Sequence, residues 1–456
     1  MSSKLPAEPN APEPAAVKAD PTVFADYADC KLHLGDARAV LAAMPAKSVH
    51  SIITSPPYWN LRDYKLEPSV WGDGWTGCLG LEPRIEMYVE HMVEVMAGCW
   101  RVLRDDGSMW LNIGDSYAGS GHGWQMDDAE MPRKELADWD RQRPPGYMSS
   151  AAGNGLKPKA LVLAPFRVVD ALQRAGWICR STIIWSKRSP MPESVQDRAT
   201  TSHEYIYQLV KRNRPSYWTH RWRGGVRRKP AADYIWRDLQ ADIELATPPA
   251  DWKTIMFRDS QDGKRKRRYR RRNLWRAHDY FYDQTATREP MKDTSIARYS
   301  RRFSDSGTPA EELPGRQPQL REPSKPNELG RNAWTVWDFP TESTKEKHFA
   351  TFPRELVRRC LAAGTPVQVC DKCGAARVWS RRNIGRATSI PTCACNDGRA
   401  PATVLDPFGG SGTVAVVARE YGRQSIMIDL AERYLQIAAR RLETVQPVLI
   451  QEKGRV

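Results

Sequence analysis

The sequence predicts an α/β protein built on a mostly parallel, doubly wound sheet. Two observations carry that reading. Short apolar runs alternate with longer stretches of helical periodicity, the rhythm of strand–helix–strand units. A glycine-rich loop, Asp406-Pro407-Phe408-Gly409-Gly410-Ser411-Gly412-Thr413, also follows a strand pattern and precedes a helix pattern, the layout of a nucleotide-binding turn.

The elements follow in order. Leu32–Gly35 reads as a strand ending on Gly35-Asp36, and Ala37–Met44 as a helix closed by Pro45. Val49–Ile53 is an apolar run leading into Thr54-Ser55-Pro56-Pro57-Tyr58. Within Gly80–Leu103, Ile85, Tyr88, Val89, Met92, Val93, Met96 and Trp100 recur at helical spacing. Asp106-Gly107 is a turn and Ser108–Ile113 the next strand. Residues 119–159 are rich in glycine, proline and charge and read as a loop. Ala164–Ala175 is a helix stopped at Gly176; Ile178–Ser186 and Glu204–Val210 are strands. The rhythm fails from Lys211 to Arg331 and resumes with a helix at Arg354–Ala363. Then come strand Thr403–Asp406, helix Val414–Tyr421, strand Gln424–Ile428 ending on Asp429, and helix Glu432–Leu442.

The 456 residues allow one large domain with inserts. A net charge of +15 suits a polyanionic partner, nucleic acid before membrane. No run of apolar residues is long enough to span a bilayer. Residues 1–25 read as a disordered tail without the apolar core of a signal peptide, so a cytoplasmic protein is expected. In a reducing compartment the 9 cysteines point to thiols or metal rather than disulfides.

Three stretches carry chemistry. In the glycine loop, Gly409, Gly410 and Gly412 let the backbone approach a ligand, and Asp429 stands where such folds place an acid on ribose hydroxyls. The spacing is not that of a dinucleotide or P-loop motif, which disfavours NAD and ATP. In Ser55-Pro56-Pro57-Tyr58 the two prolines rigidify the loop and offer carbonyls without competing N–H groups. An exocyclic amino group is a poor nucleophile because its lone pair is delocalised into the ring. The Ser55 hydroxyl and the Pro56 carbonyl could accept both its hydrogens, with Tyr58 stacked on the base. Finally, Cys370-x-x-Cys373 and Cys393-x-Cys395 suit a structural four-thiolate zinc site; reduced free thiols stay open as the alternative.

These residues resemble the β class of S-adenosylmethionine-dependent DNA amino-methyltransferases. Ser55–Tyr58 is similar to their catalytic motif and Asp406–Gly412 to their methyl-donor motif, in that order. Gly35-Asp36, Met191-Pro192-Glu193-Ser194, Ser202-His203-Glu204 and His348–Pro353 also fit. The resemblance implies a circularly permuted class I, Rossmann-like fold with a seven-stranded sheet. It implies a donor site drawing on Asp36, Thr351, Phe352, Pro353, Asp406, Phe408, Gly409, Gly410, Gly412, Thr413 and Asp429. It further implies base flipping in double-stranded DNA. The target is adenine N6 or cytosine N4, because a serine in the first motif position occurs with both. A solitary methylase and one paired with a restriction nuclease are both compatible, and a homodimer would suit a palindromic site.

The expected organisation is a catalytic part at 26–210, a target-recognition region at 211–333 and a donor-binding part at 334–446 with a cysteine-rich insert at 368–397. The DNA-contact candidates are Arg221, Trp222, Arg223, Arg227 and Arg228, and Lys264, Arg265, Arg267, Arg268, Arg270 and Arg271. Two rival readings remain: a non-catalytic DNA-binding regulator on the same fold, and a methyltransferase acting on RNA or a protein amide.

Overall fold

The computed structural model describes residues 22–118, 156–157, 159–190, 192–211, 280–291, 330–342, 352–380, 388–390, 393, 395 and 398–446, with five strands between 218 and 271. The core is one sheet of nine strands. In chain order they are β1 (Thr22–Tyr27), β2 (Cys30–Leu34), β3 (Val49–Thr54), β4 (Leu103–Ile113), β5 (Ile178–Lys187), β6 (His203–Val210), β7 (Val336–Phe339), β8 (Thr403–Asp406) and β9 (Gln424–Asp429). Their order across the sheet is β1-β2-β9-β8-β3-β4-β6-β5-β7. Only β1 and β6 run against the rest.

The expected seven-stranded sheet is therefore extended at both edges. β1 begins at Thr22 and pairs with β2 as a hairpin, so the tail expected over residues 1–25 ends earlier than its composition suggested. Its residues are half to fully exposed, and an edge strand lacks the apolar face by which a strand is recognised. β7 is four residues long and was missed for its shortness; it pairs parallel to β5.

Six helices cover the two faces. Helices α1 (Ala37–Ala43), α2 (Ile85–Val102) and α3 (Ala164–Arg174) pack on one side. Helices α4 (Arg354–Gly364), α5 (Thr413–Glu420) and α6 (Glu432–Glu443) pack on the other. Alternate strand residues serve the two layers: Ile52 and Leu405 face the first, Ile53 and Val404 the second. All four are fully buried, at about 2 kcal/mol of apolar burial each. In α2 the inward stripe is Ile85, Tyr88, Met92, Val95, Met96, Cys99 and Val102, rotated slightly from the predicted one. Buried His91 shares the face, stacked on Trp71 and bonded to Glu82.

Packing is tight where α4 ends on β4. A Cβ on Gly364 would lie 2.2 Å from Trp110 Nε1 and 2.7 Å from Ser108 Oγ. Gly364→Ala is expected to destabilise the protein by about 1–3 kcal/mol, read from urea unfolding.

The region expected to contact DNA holds two small antiparallel sheets. Trp218–Trp222, Tyr234–Asp238 and Ile243–Leu245 form one; Trp252–Arg258 and Arg265–Arg271 form a hairpin. Its last part returns to the core: Phe281 N–H donates to the Asp106 carbonyl at 2.7 Å and Asp283 N–H to that of Ala363 at 2.8 Å. The expected loop at 119–159 falls almost wholly outside the described residues. No described helix is long and apolar enough to cross a membrane.

Candidate active site

The two motifs, some 350 residues apart in sequence, end neighbouring parallel strands. β3 delivers Ser55 and β8 delivers Asp406, with Ser51 opposite Val404 and Ile52 opposite Leu405. A direct bond joins them: Thr54 Oγ1 donates to Asp406 Oδ1 at 2.7 Å, and both side chains are buried. Asp406 also accepts from Phe408 N–H at 3.1 Å, which folds the glycine loop over the strand end. Burial pushes the Asp406 carboxyl up to about 7, against the pull of those two donors.

Both loops open on one cavity of about 800 Å³. On the donor side its wall includes Phe352, Pro353, Asp406, Phe408, Gly409, Gly410, Thr413 and Asp429. Gly410 has φ +50° with open space where a Cβ would stand, so the backbone itself faces the cavity. Gly409 and Gly412 are packing glycines. A Cβ on the first would strike Met427 at 2.0 Å, and one on the second would strike Ala438 of α6 at 2.6 Å. Gly412 does not line the cavity, although the motif grouped it with the donor residues. The Thr413 hydroxyl accepts from Arg441 at 3.1 Å.

Asp429 closes the donor side. Its Oδ2 accepts from Gly410 N–H and its Oδ1 from Ala431 N–H, both at 2.8 Å. A carboxylate has about four acceptor positions, so each oxygen keeps capacity for a ligand hydroxyl. Burial pushes this carboxyl up to about 6. The wall suits S-adenosylmethionine: an acid for hydroxyls, exposed backbone at Gly410, and apolar surfaces from Phe408, Leu430 and Phe352. Asp36 stands on the same wall but is largely committed elsewhere. It caps α1 through Arg38 N–H at 2.8 Å and holds Arg38 Nη2 at 2.7 Å. Burial raises its pKa, but the Arg38 contacts outweigh this and leave it below the ordinary carboxylate value. Thr351 lies outside the described residues.

On the catalytic side, Pro57 accepts from the buried Tyr88 hydroxyl at 2.9 Å. Among the described residues no hydrogen bond reaches the Pro56 carbonyl. Ser55 Oγ sits 3.2 Å from the Tyr58 hydroxyl and 3.4 Å from Asn112 Nδ2. The Tyr58 hydroxyl donates to Glu204 Oε2 at 2.7 Å and accepts from Asn112 at 2.7 Å. Asn112 also donates to Glu204 at 2.8 Å, and Lys187 Nζ to the other Glu204 oxygen at 2.6 Å. Burial first, and Glu204 second, push the Tyr58 phenol well above its ordinary value, so it stays neutral. Its ring leaves no room for a Cβ on Gly114, which would lie 2.7 Å away.

Sequence reasoning placed Ser55–Tyr58 correctly beside the donor loop but did not single out Asn112, Lys187 or Glu204. Asn112 lies near the end of β4, the neighbour of β3, where a polar residue inside an apolar strand was the available signal. Glu204 was quoted only as part of a resembling stretch.

Among the DNA-contact candidates, Arg221 and Trp222 lie on Trp218–Trp222, and Arg265, Arg267, Arg268, Arg270 and Arg271 on Arg265–Arg271. Arg223, Arg227, Arg228 and Lys264 fall outside the described residues. Cys370, Cys373, Cys393 and Cys395 do converge, away from the cavity.

Donor binding should depend on pH through Asp429. The ionised carboxylate is the form with acceptor capacity on both oxygens, so affinity is expected to fall as pH drops below about 6, towards tenfold per unit. Asp429→Asn should flatten that profile, and Asp429→Ala should weaken donor binding more than DNA binding. Calorimetric titration across pH reads the first and fluorescence anisotropy with a labelled duplex the second.

The comparisons agree with this geometry. The family of N6/N4 enzymes described as DNA methylase matches residues 49–440. Type II methyltransferase M.SmaI of Serratia marcescens is 29% identical over 413 residues, covering 91% of this chain and 90% of that protein. Type II methyltransferase M.Cfr9I of Citrobacter freundii is 29% identical over 409 residues, covering 90% and 86%. Among solved structures, the cytosine-N4-specific PvuII DNA methyltransferase shares 13% identity at a TM-score of 0.43, covering 93% of this chain and 89% of that one. With a family match across most of its length, the chain belongs to the N6/N4 DNA methylases and is a DNA amino-methyltransferase that uses S-adenosylmethionine.

Proposed function

We propose that the cavity receives a base flipped out of duplex DNA, and that the loop Ser55–Tyr58 presents its amino group to the donor side. The observation that carries this reading is the Thr54–Asp406 bond, which fixes the two loops on one cavity. The Pro56 carbonyl and Ser55 Oγ accept the two amino hydrogens and favour a tetrahedral nitrogen. Tyr58, anchored by its hydroxyl to Glu204 and Asn112, presents a fixed ring to the base. Asp429 holds ribose hydroxyls, while Phe352 and Pro353 border the methionine end. When bound, S-adenosylmethionine supplies the methyl group as a sulfonium electrophile. The chain contributes alignment, desolvation and acceptors rather than a covalent intermediate.

Adenine N6 and cytosine N4 present the same two hydrogens to Ser55 and Pro56, so the reading covers both. No Pro-Cys pair occurs in the sequence, which disfavours cytosine C5 chemistry. The strands at Trp218–Trp222 and Arg265–Arg271 supply the phosphate contacts of this reading. A palindromic target would engage two copies of the chain; sedimentation with a duplex reads that.

The test is transfer of labelled methyl groups to a mixed-sequence duplex, followed by digestion to nucleosides and mass spectrometry. N6-methyladenine or N4-methylcytosine is expected. Donor binding without transfer to any duplex would leave the non-catalytic regulator as the answer.

A further inference from the structure

The cysteine-rich insert is not absorbed by methyl transfer. Its four cysteines come from two stretches more than 20 residues apart, Cys370 and Cys373 in one and Cys393 and Cys395 in the other. Yet their sulfurs all lie within 4.8 Å of one another. Four thiolates around zinc at about 2.3 Å leave sulfurs a little under 4 Å apart, so the cluster needs only slight contraction.

The backbone around Cys370 has the form of a metal knuckle. Gly374 N–H donates to the Cys370 carbonyl at 2.8 Å, and Cys370 N–H to that of Ala375 at 2.8 Å. Gly374 has φ +69°, a turn that L side chains adopt with strain. Val369 and Ala376 pair as a bridge below it. The returning chain runs close by: a Cβ on Gly398 would strike the Asp371 carboxylate at 2.0 Å.

The knuckle is also tied to the sheet. Arg104 Nη1 donates to the Cys373 carbonyl at 2.9 Å while its guanidinium pairs with Asp106. His50, near the start of β3, accepts from Thr403 N–H through Nδ1 at 3.0 Å. That fixes the tautomer in which Nε2 donates to the Gly374 carbonyl, 3.2 Å away. The insert therefore meets β3, β4 and β8 at their starts, opposite the ends that carry Thr54 and Asp406. None of the four cysteines lines the cavity.

We propose that Cys370, Cys373, Cys393 and Cys395 bind one structural zinc ion, which clamps the insert onto the starts of β3, β4 and β8. The four thiols give up their protons on binding, and all four positions around the metal are filled by protein, so the site takes no substrate. Its contribution is to hold the strands whose far ends carry the catalytic and donor loops. This does not depend on the assignment of the target base or on the roles of Ser55–Tyr58.

The experiment uses the full-length protein purified without chelator. Elemental analysis is expected to give about one zinc per chain. Cys373 and Cys395 are exposed and Cys393 is half exposed, so zinc should shield them from iodoacetamide, and a strong chelator should unmask them. The chelated protein should unfold at a lower Tm, restored by adding zinc. Cobalt in place of zinc should give the visible bands and thiolate charge-transfer absorption of a tetrahedral four-sulfur site. Cys395→Ser should lose the metal; if it fails to fold, the chelation and cobalt arms on the wild-type chain still decide. Metal-free protein with rapidly alkylated thiols and an unchanged Tm on adding zinc would overturn the proposal. So would an intact mass showing disulfides between these cysteines.

Discussion

Ser55→Ala lowers kcat for methyl transfer by at least about tenfold and leaves donor affinity within about twofold. The magnitude is that of one positioned acceptor at the reacting atom, about 1.4 kcal/mol or more of transition-state stabilisation. The separation of effects follows from the geometry. Ser55 bonds only within the catalytic loop and to Asn112, whereas the donor wall is held by Asp406, Gly410 and Asp429. Removing the hydroxyl also leaves Tyr58 with its two strong partners, Glu204 and Asn112, so the loop keeps its shape. Single-turnover kinetics with saturating donor, beside calorimetric titration of the donor, check both halves. A rate like that of the wild type would remove Ser55 from the acceptor pair and leave the Pro56 carbonyl alone.

Legibility tracked the range of the interaction that fixes each residue. The glycine loop and Ser55–Tyr58 are local devices: backbone freedom at Gly410 and stiffness at Pro56 and Pro57 are properties of a few consecutive residues. They could be read before any contact was known. The same holds for α2, whose buried stripe from Ile85 to Val102 repeats at helical spacing. Residues fixed by distant partners were not readable. Gly412 looks like a ligand glycine and is required instead by Ala438 of α6. Asp36 looks like a donor-site acid and is taken up by Arg38, which Glu94 and the Trp71 ring hold in turn. Edge strands β1 and β7 carry too little apolar surface to announce themselves. The converging cysteines were legible as two close pairs, but their meeting across Ser380 to Pro391 is a property of the fold.

Glu204 is the residue whose loss should cost most, because three groups depend on it. Tyr58, Asn112 and Lys187 all direct a hydrogen at its carboxylate, at 2.7, 2.8 and 2.6 Å. Its side chain is mostly shielded from water, and the Lys187 ammonium is about one-fifth exposed. Glu204→Ala therefore strands a half-buried ammonium and frees the Tyr58 hydroxyl together. Removing one partner from a shielded ionic pair costs more than the pair contributes. A kcat loss of about a hundredfold or more is expected, larger than for Ser55→Ala, because the ring that meets the base is no longer held. Glu204→Gln separates the two causes. Its amide oxygen can still accept from Tyr58, but the charge opposite Lys187 is gone. If positioning of Tyr58 dominates, Gln recovers most of the rate; if the charge dominates, Gln is as slow as Ala. Tyr58→Phe completes the comparison, since it removes the anchor while keeping the ring. Additive losses in the Tyr58→Phe, Glu204→Ala double variant would show that the two residues act separately, contrary to the 2.7 Å bond between them.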